Sequence, residues 1–182
     1  MVAGRECDGG IDTLSSTAPS PSPVFTMPWL NNVGAVLQCW FAGQEVGNTL
    51  ADIISGTISP SGKLPVTFPR RIEDSPSYGN FPTDENHEIR YREGLHMGYR
   101  DRGGPGPLFP FGFGLSYTIF EMSGFVVEGD GSCNGVSVRA VVRNTGSLAG
   151  QEVVQVYVDG VLKAFEKTKG IAPGESVSRT EA

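Results

Sequence analysis

The chain has 182 residues, a formal net charge of −6 and 38% hydrophobic residues, which is typical of a soluble globular protein with one or two domains. The acidic balance argues against nucleic acid and against an anionic membrane surface as partners. No apolar run approaches the roughly 20 residues of a membrane-spanning helix. The first residues lack the basic start and apolar core of a signal peptide. Three widely spaced cysteines predict neither a disulfide framework nor a zinc site.

The N-terminal segment, residues 1–26, is predicted to be a disordered tail. Its end, Thr17–Pro23, reads TAPSPSP, an alternation of proline with small residues that offers almost nothing to bury. The character changes from Met27 onward. Ala35–Phe41 reads AVLQCWF, a short and nearly continuous apolar run, which is typical of a strand covered on both faces.

The following segment predicts a β-α-β unit. Gln44–Ser55 is expected to be an amphipathic helix, because four apolar residues form one stripe along it: Val46, Leu50, Ile53 and Ile54. Gly56 is a suitable helix end, and Leu64–Phe68 is expected to be the second strand. Since such units belong to sheets with helices on their faces, residues 27–114 are predicted to be an α/β layer fragment of a sandwich.

The last third of the chain, residues 115–182, predicts an all-β domain. Val136, Val138, Ala140 and Val142 alternate with Ser137, Arg139 and Arg143, and Glu152–Val158 (EVVQVYV) follows the turn Asn144–Gly150. Short strands at this spacing favour an immunoglobulin-like or fibronectin type III-like sandwich. The long aperiodic stretch between the two regions, Pro69–Gly114, is expected to be functional or packed against another part of the protein.

Three motifs resemble cofactor or metal sites but lack the spacing or the residues that such sites require. Gly62-Lys63 lies too far from Gly56 for a phosphate-binding loop and is followed by Leu64, not by a hydroxyl residue. His87 and His96 lack a second ligand at metal-binding spacing. Gly112-Phe113-Gly114 precedes an all-β region and lacks the third glycine of a dinucleotide fingerprint. No cofactor and no metal are therefore predicted.

Among the carboxylates, Glu93 is the best local candidate for a site. A structural ion pair with a neighbouring arginine (Arg90, Arg92 or Arg100) is nevertheless the favoured interpretation. Glu73 and Asp74 are adjacent, so they are expected to point in opposite directions and to be solvated. Glu45 is expected to cap the helix, and Asp52 to be solvated or hydrogen-bonded on it.

Several aromatic side chains could stack on sugar rings, although packing in the protein interior is the commoner fate of such residues. These are Trp29, Trp40, Phe41, Tyr78 and Tyr99. Lys63 is expected to be an exposed lysine on a turn, with its stem over apolar neighbours.

A series of motifs in one order carries a family resemblance. The series is Met27–Leu30 (MPWL), Gln38–Gly47 (QCWFAGQEVG), Ala51-Asp52, Ser59–Pro69 (SPSGKLPVTFP), Glu93–Arg100 (EGLHMGYR) and Leu108–Tyr117 (LFPFGFGLSY). It resembles the C-terminal part of glycoside hydrolase family 3, most of all the fungal β-glucosidases. Asn144–Val158 resembles the terminal fibronectin type III-like domain of that family. The resemblance covers residues 27–182.

The resemblance implies retaining hydrolysis of terminal β-glucosyl residues in substrates such as cello-oligosaccharides, without a cofactor, by a secreted enzyme. In the family the nucleophile is an aspartate on a barrel domain, in a Ser-Asp-Trp-like motif that this chain lacks. The acid/base glutamate precedes the region resembling MPWL, where the flanks of Glu6 do not match. No catalytic residue is therefore assigned here.

These comparisons with the family pattern predict a fragment. We expect a tail over 1–26, the C-terminal portion of the family's α/β sandwich domain over 27–114, and a truncated fibronectin type III-like domain over 115–182. Val158 is followed almost at once by Leu162–Phe165, where the family has a longer connection. Two alternatives remain: a non-catalytic module that binds carbohydrate or protein, and a chain that does not fold stably.

Overall fold

The computed structural model describes residues 2–4, 14–17, 27–80, 85, 87–101, 103–104, 106–129 and 136–181. The chain divides into two compact units. One, which we call the strand unit, contains residues 42–62 and 114–182 together with the first two residues. The other, the cleft unit, contains residues 3–41 and 63–113. Each unit is therefore assembled from segments that are distant in sequence.

A three-stranded sheet has the order β1-β3-β2, where β1 is Val2–Gly4, β2 is Leu14–Thr17 and β3 is Ala35–Gln38. Strand β2 runs parallel to β3, with Leu14 opposite Ala35. The prediction of a disordered tail over 1–26 is therefore wrong for β1 and β2, because each of them pairs along one side with β3. The remaining residues of that tail lie outside the described residues.

Strand β3 confirms the buried strand predicted for Ala35–Phe41, but it ends at Gln38. Val36 and Leu37 are both buried, as expected for a central strand with neighbours on each side. The chain then turns through Trp40, which has a φ of 50°, and Gly43, with a φ of 71°. A tryptophan in this left-handed region is uncommon and ends the strand earlier than the apolar run suggests.

The predicted second strand, Leu64–Phe68, is not a strand. Leu64 N–H donates to the Phe113 carbonyl at 2.8 Å, and Phe68 forms an isolated antiparallel bridge with Phe109. Pro65 lacks the N–H that a continuous ladder requires, and this explains why only the two ends of the segment pair. The predicted β-α-β unit is therefore wrong, since its second strand is an extended segment held by a loop.

Among its described residues the strand unit contains one α-helix, α1, over Val46–Ile54. It confirms the helix predicted from the apolar stripe, and Gly56 follows with a φ of 77°. Tyr117 anchors the end of α1, since its hydroxyl donates to the Ile53 carbonyl at 3.0 Å and its backbone N–H donates to Ser59 Oγ at 3.0 Å. No helix in the described ranges is long and apolar enough to cross a bilayer.

The described part of residues 114–182 forms two small sheets. Strands β4 (Phe120–Gly129), β5 (Val136–Asn144) and β8 (Ser176–Glu181) form an antiparallel sheet in the order β4-β5-β8. Strands β6 (Val153–Val158) and β7 (Val161–Lys167) form an antiparallel pair. A small core of buried residues is shared among these elements: Val142, Val154 and Ile171, with Phe120 and Val177 packed against them.

The predicted period-2 pattern is confirmed over the second half of β5, whereas β6 does not alternate, since Tyr157 and Val158 are both exposed. In β5 the residues Ala140, Val142 and Asn144 are buried while Arg139 and Arg143 are exposed. The short connection after Val158 is a two-residue hairpin turn through Asp159 and Gly160, both with positive φ (51° and 73°). That pair of angles is the turn geometry that suits the natural twist of a hairpin.

Candidate functional site

A cleft of about 290 Å³ opens in the cleft unit. Its lining combines three carboxylates, two aromatic rings, a thioether and several prolines: Asp74, Glu93, Asp101, Tyr99, Phe111, Met97, Pro65, Pro69, Pro76 and Pro107. This is the mixture of apolar wall and few polar groups that small-molecule sites show. We therefore take this cleft as the candidate site.

The bridge between Phe68 and Phe109 holds a segment whose neighbouring residues, Thr67 and Pro69, line the cleft. Phe68 N–H donates to the Phe109 carbonyl at 2.8 Å, and Leu108 N–H donates to the Phe68 carbonyl at 2.8 Å. Phe68 is fully buried and contacts the rings of Trp40 and Phe109, with centroids 6.1 and 6.4 Å away. This packing places the lining prolines Pro65 and Pro69 on a fixed backbone.

Asp74 is the most constrained carboxylate of the cleft. Its Oδ1 accepts a hydrogen bond from Arg71 Nη2 at 2.9 Å, and its Oδ2 accepts one from the Arg71 backbone N–H at 3.2 Å. The hydrogen bond from Arg71 holds the pKa of Asp74 below its usual value. The side chain is only 9% exposed, so the prediction of a solvated Asp74 is wrong. The three-residue helical turn Ile72–Asp74 brings the pair together.

Glu93 and Asp101 are both hydrogen-bond acceptors in this cleft. Asn80 Nδ2 donates to Glu93 Oε2 at 2.8 Å, and the Gly103 backbone N–H donates to Asp101 Oδ1 at 3.0 Å. The predicted ion pair between Glu93 and a neighbouring arginine does not form among the described residues. A side-chain amide 13 residues upstream takes that place.

An aromatic pair lines the same cleft. The rings of Tyr99 and Phe111 stack with centroids 4.3 Å apart and an interplanar angle of 20°. Trp40 is half-buried and packs against the buried ring of Phe68, as the packing interpretation predicts. Tyr99 and Trp29 are also half-buried, and Tyr99 lines the cleft. The two remaining aromatic candidates, Phe41 and Tyr78, are exposed instead.

The chemistry available in the cleft is acceptance of hydrogen bonds beside a flat apolar surface. Asp74 is held as a carboxylate by Arg71, and a general acid must instead carry a proton at the working pH. The described residues bring together no group of three or more His, Cys, Asp or Glu that could hold a metal ion. The cleft can therefore receive a hydroxyl-rich ligand, and Asp74 is unsuited to protonate a leaving group.

More than half of this chain matches a known protein family. Residues 17–117 match the family model described as the glycosyl hydrolase family 3 C-terminal domain. This is more than half of the chain. The chain belongs to glycoside hydrolase family 3. The matched segment contains the whole candidate cleft and also α1.

Individual family 3 relatives agree. Beta-glucosidase B from Emericella nidulans is 46% identical over 153 residues, which cover 77% of this chain and 18% of the relative. The thermostable beta-glucosidase B from Acetivibrio thermocellus is 46% identical over 175 residues, covering 87% of this chain and 22% of the relative. The chain thus spans about a fifth of the length of these family 3 relatives.

A solved family 3 structure has the same fold over most of the chain. Beta-glucosidase 3B from Thermotoga neapolitana, in a complex with glycerol, superposes with a TM-score of 0.79 at 42% identity. The superposition covers 88% of this chain and 24% of the other. A second structure of that enzyme is a complex with glucose, and it gives the same TM-score.

Other side chains singled out from the sequence lie outside the cleft of this family 3 domain. Glu45 precedes α1 but does not cap its backbone; its carboxylate accepts a hydrogen bond of 2.6 Å from Asn48 Nδ2. His87 and His96 are exposed, and Lys63 is half-buried instead of exposed.

Sequence reasoning missed Asp101 and the pairing of Tyr99 with Phe111. Both features belong to the aperiodic stretch 69–114, which gives no signal of side-chain direction. The spacing Asp101-x-Gly103 was the available signal for Asp101, because aspartate commonly accepts a hydrogen bond from the backbone two residues onward. Nothing in the sequence pairs residue 99 with residue 111.

Proposed function

We propose that this chain is the C-terminal portion of a retaining β-glucosidase that hydrolyses terminal β-glucosyl residues, cello-oligosaccharides included. The observation that carries the proposal is the match of residues 17–117 to the C-terminal domain of family 3. It is supported by β-glucosidases at 46% identity. Relatives with bound glucose and glycerol support a sugar as the substrate of the whole enzyme.

The chain by itself is proposed to be inactive. Retaining hydrolysis requires a nucleophilic carboxylate and an acid/base carboxylic acid about 5–5.5 Å apart across the scissile bond. The sequence contains no Ser-Asp-Trp motif. The cleft carboxylates are engaged by Arg71, Asn80 and the Gly103 backbone. We assign the nucleophile and the acid/base group to parts of the family 3 enzyme that these 182 residues do not include.

Residues 115–182 are proposed to be an incomplete fibronectin type III-like domain. The support is the packing of β4-β5-β8 and β6-β7 around Val142, Val154 and Ile171. We also propose that the whole enzyme acts outside the cell, as a hydrolase of polymeric glucosides would. Fractionation of a culture with an antibody against residues 115–182 tests this location.

The proposal of inactivity is tested with the purified chain and 4-nitrophenyl β-D-glucoside. We expect no release of nitrophenol above the buffer rate, with the Emericella nidulans β-glucosidase B as positive control. Turnover by the chain at a rate comparable to that control would overturn the assignment of both catalytic groups to other regions.

The proposal of a β-glucosidase domain is tested separately with a chimera. The 153-residue region of the Emericella nidulans enzyme that matches this chain is replaced by the corresponding residues of this chain. We expect the chimera to hydrolyse the aryl glucoside. Adding Glu93→Gln should change kcat far less than the 10²–10⁴-fold typical of losing a general acid or base. A chimera that folds but is inactive would contradict the proposal.

A further inference from the structure

Two carboxylates of the cleft have capacity for further hydrogen bonds. Glu93 accepts a bond of 2.8 Å from Asn80 Nδ2, and Asp101 accepts one of 3.0 Å from the Gly103 backbone N–H. A carboxylate has two oxygens and about four lone-pair sites, so each can also accept bonds from a ligand. Both of these partners are uncharged, so they do not neutralise the carboxylates that they contact.

Two serine hydroxyls supply groups that can donate as well as accept. Ser75 and Ser77 both line the cleft, and their Oγ atoms lie 3.1 Å apart. A hydroxyl carries one donor and two acceptor sites, and it rotates to suit its partner. A buried hydroxyl of a ligand needs partners for both functions, and the cleft provides them.

Apolar groups form much of the remaining lining of the cleft. The stacked rings of Tyr99 and Phe111 line it, together with the thioether of Met97 and four prolines. Proline has a fixed φ, and both stacked rings are half-buried. A wall of this kind is largely formed before a ligand arrives, so little conformational freedom is lost on binding.

This combination of groups disfavours several classes of ligand. A phosphate or carboxylate ligand would lie among Asp74, Glu93 and Asp101, and like charges repel. A purely apolar ligand would cover carboxylates without donating hydrogen bonds to them, which costs free energy. The volume of about 290 Å³ lies at the lower end of small-molecule pockets, about 300–1,000 Å³, and so favours a ligand the size of one sugar ring.

We propose that the cleft binds one β-glucosyl ring. Glu93 and Asp101 accept hydrogen bonds from its hydroxyls, and the ring lies with its C–H face against the aromatic pair Tyr99 and Phe111. A pyranose with equatorial hydroxyls matches this lining, because its polar groups form a rim around a flat apolar face. The choice of glucose among such sugars rests on the proposed function. The lining itself selects a neutral ring that bears hydroxyls.

The test titrates the full chain with methyl β-D-glucoside and follows the backbone amide signals by nuclear magnetic resonance. Gly98, Gly103 and Gly106 line the cleft, so their amide signals should shift and saturate as the glucoside is added. Gly146 and Gly170 lie in the strand unit, and their signals should stay in place. This mapping uses the wild-type chain and needs no variant.

Two variants test the proposed acceptors. Glu93→Gln and Asp101→Asn should each raise the dissociation constant at least about threefold, because a hydrogen bond to a charged acceptor is about twice as strong as one to a neutral acceptor. The matched control is Glu73→Gln, which makes the same charge change at an exposed carboxylate next to the cleft residue Asp74. It should leave the dissociation constant unchanged. Circular dichroism checks that each variant keeps its fold.

D-Glucosamine separates a site for a neutral sugar from a site for an organic cation. Its ammonium group would be attracted by the carboxylates, and salt weakens such an attraction. The affinity for methyl β-D-glucoside should not change with salt concentration. Glucosamine that binds more than about tenfold more tightly, and loses this advantage at high salt, would assign the cleft to a cation and overturn the inference.

Other outcomes would also overturn the inference. These are cleft signals that do not shift up to the solubility limit of the glucoside, binding that neither Glu93→Gln nor Asp101→Asn weakens, and equal weakening by Glu73→Gln. Hydrolysis by the chimera is a separate readout. An inactive chimera beside a chain that binds the glucoside would contradict the proposed function alone. An active chimera beside a chain that does not bind it would contradict the sugar site alone.

Discussion

Thr118 Oγ1 donates a hydrogen bond of 2.7 Å to Oδ1 of Asn144, a fully buried side chain at the end of β5. The same Oδ1 accepts the Gly146 backbone N–H at 3.1 Å. The amide nitrogen of Asn144 donates to the carbonyls of Leu148 and Ile171, at 2.7 and 2.9 Å. The side chain thus joins the start of β4 to two loops, and all of its hydrogen-bonding groups have partners.

Asn144→Ala should lower the free energy of unfolding by about 2–4 kcal/mol, because it removes four hydrogen bonds made by a buried side chain. Urea unfolding followed by circular dichroism measures the change. Thr118→Val removes a single bond of the group and should cost about 1 kcal/mol. Equal effects of the two variants would show that Asn144 does not join the three segments.

Gly146 has no room for a side chain. A Cβ at this position would overlap Thr118 Oγ1 and lie 2.7 Å from the Ile119 backbone nitrogen. Gly146→Ala should therefore destabilise the fold by about 1–3 kcal/mol, the usual cost of overpacking. The matched control is Gly170→Ala, where an added Cβ meets nothing within 4 Å. Unfolding curves that coincide for the two variants would contradict the close approach at Gly146.

Tyr117→Phe should lower the free energy of unfolding by about 0.5–1.5 kcal/mol through loss of the hydrogen bond to the Ile53 carbonyl. Burial raises the pKa of Tyr117 in the folded state. Its contribution to stability is therefore complete below the unfolded pKa of about 10 and is lost as the pH rises through the folded pKa.

The thermal midpoints of the wild type and of Tyr117→Phe should thus lie closer together at alkaline pH than at neutral pH. Thermal unfolding at both pH values measures this. Tyr78→Phe, at an exposed tyrosine, is the control and should leave the transition unchanged at both pH values. If the difference in thermal midpoint between the wild type and Tyr117→Phe stayed constant across that range, ionisation of Tyr117 would not contribute to stability. The hydrogen bond would still account for the difference itself.

The contribution of Asp74 to the stability of the fold should depend on pH in the acid range. Its folded-state pKa is lowered by Arg71, so its contribution to stability is present above the unfolded pKa of about 3.9 and is lost as the pH falls through the folded pKa. Asp74→Asn should lower the thermal midpoint slightly at neutral pH and not in strong acid. Glu73→Gln, at the exposed neighbouring carboxylate, should show no such convergence. If the thermal midpoint of Asp74→Asn stayed below that of the wild type in strong acid, the ion pair with Arg71 would be excluded as the cause of the difference.

The elements that could be predicted from the sequence are those whose own side chains repeat with a regular period. Helix α1 has an apolar stripe, and the second half of β5 alternates buried with more exposed residues. The Leu64–Phe68 segment was misassigned, because its partners lie in a loop about 45 residues downstream and Pro65 interrupts the ladder. Strand β2 was missed, because its partner β3 supplies the reason for it to be extended.

The candidate cleft was predictable only in part. Glu93 could be selected as a carboxylate within the motif series, but its Asn80 partner lies in the aperiodic loop. Asp74 was expected to be solvated, because the turn that folds Arg71 over it follows no periodic pattern. The family was recognisable from the motif order alone, since that order does not depend on knowing how the loop folds.

The hydrogen bond from Tyr117 to Ile53 joins residues 64 apart in the sequence. During synthesis, α1 is therefore made long before the tyrosine that anchors its end, and the whole segment 63–113 emerges between the two. A short isolated helix is marginal in water. Ribosome-bound chains that stop before residue 117 should leave α1 open to proteases, and protection should begin only once the start of β4 has emerged.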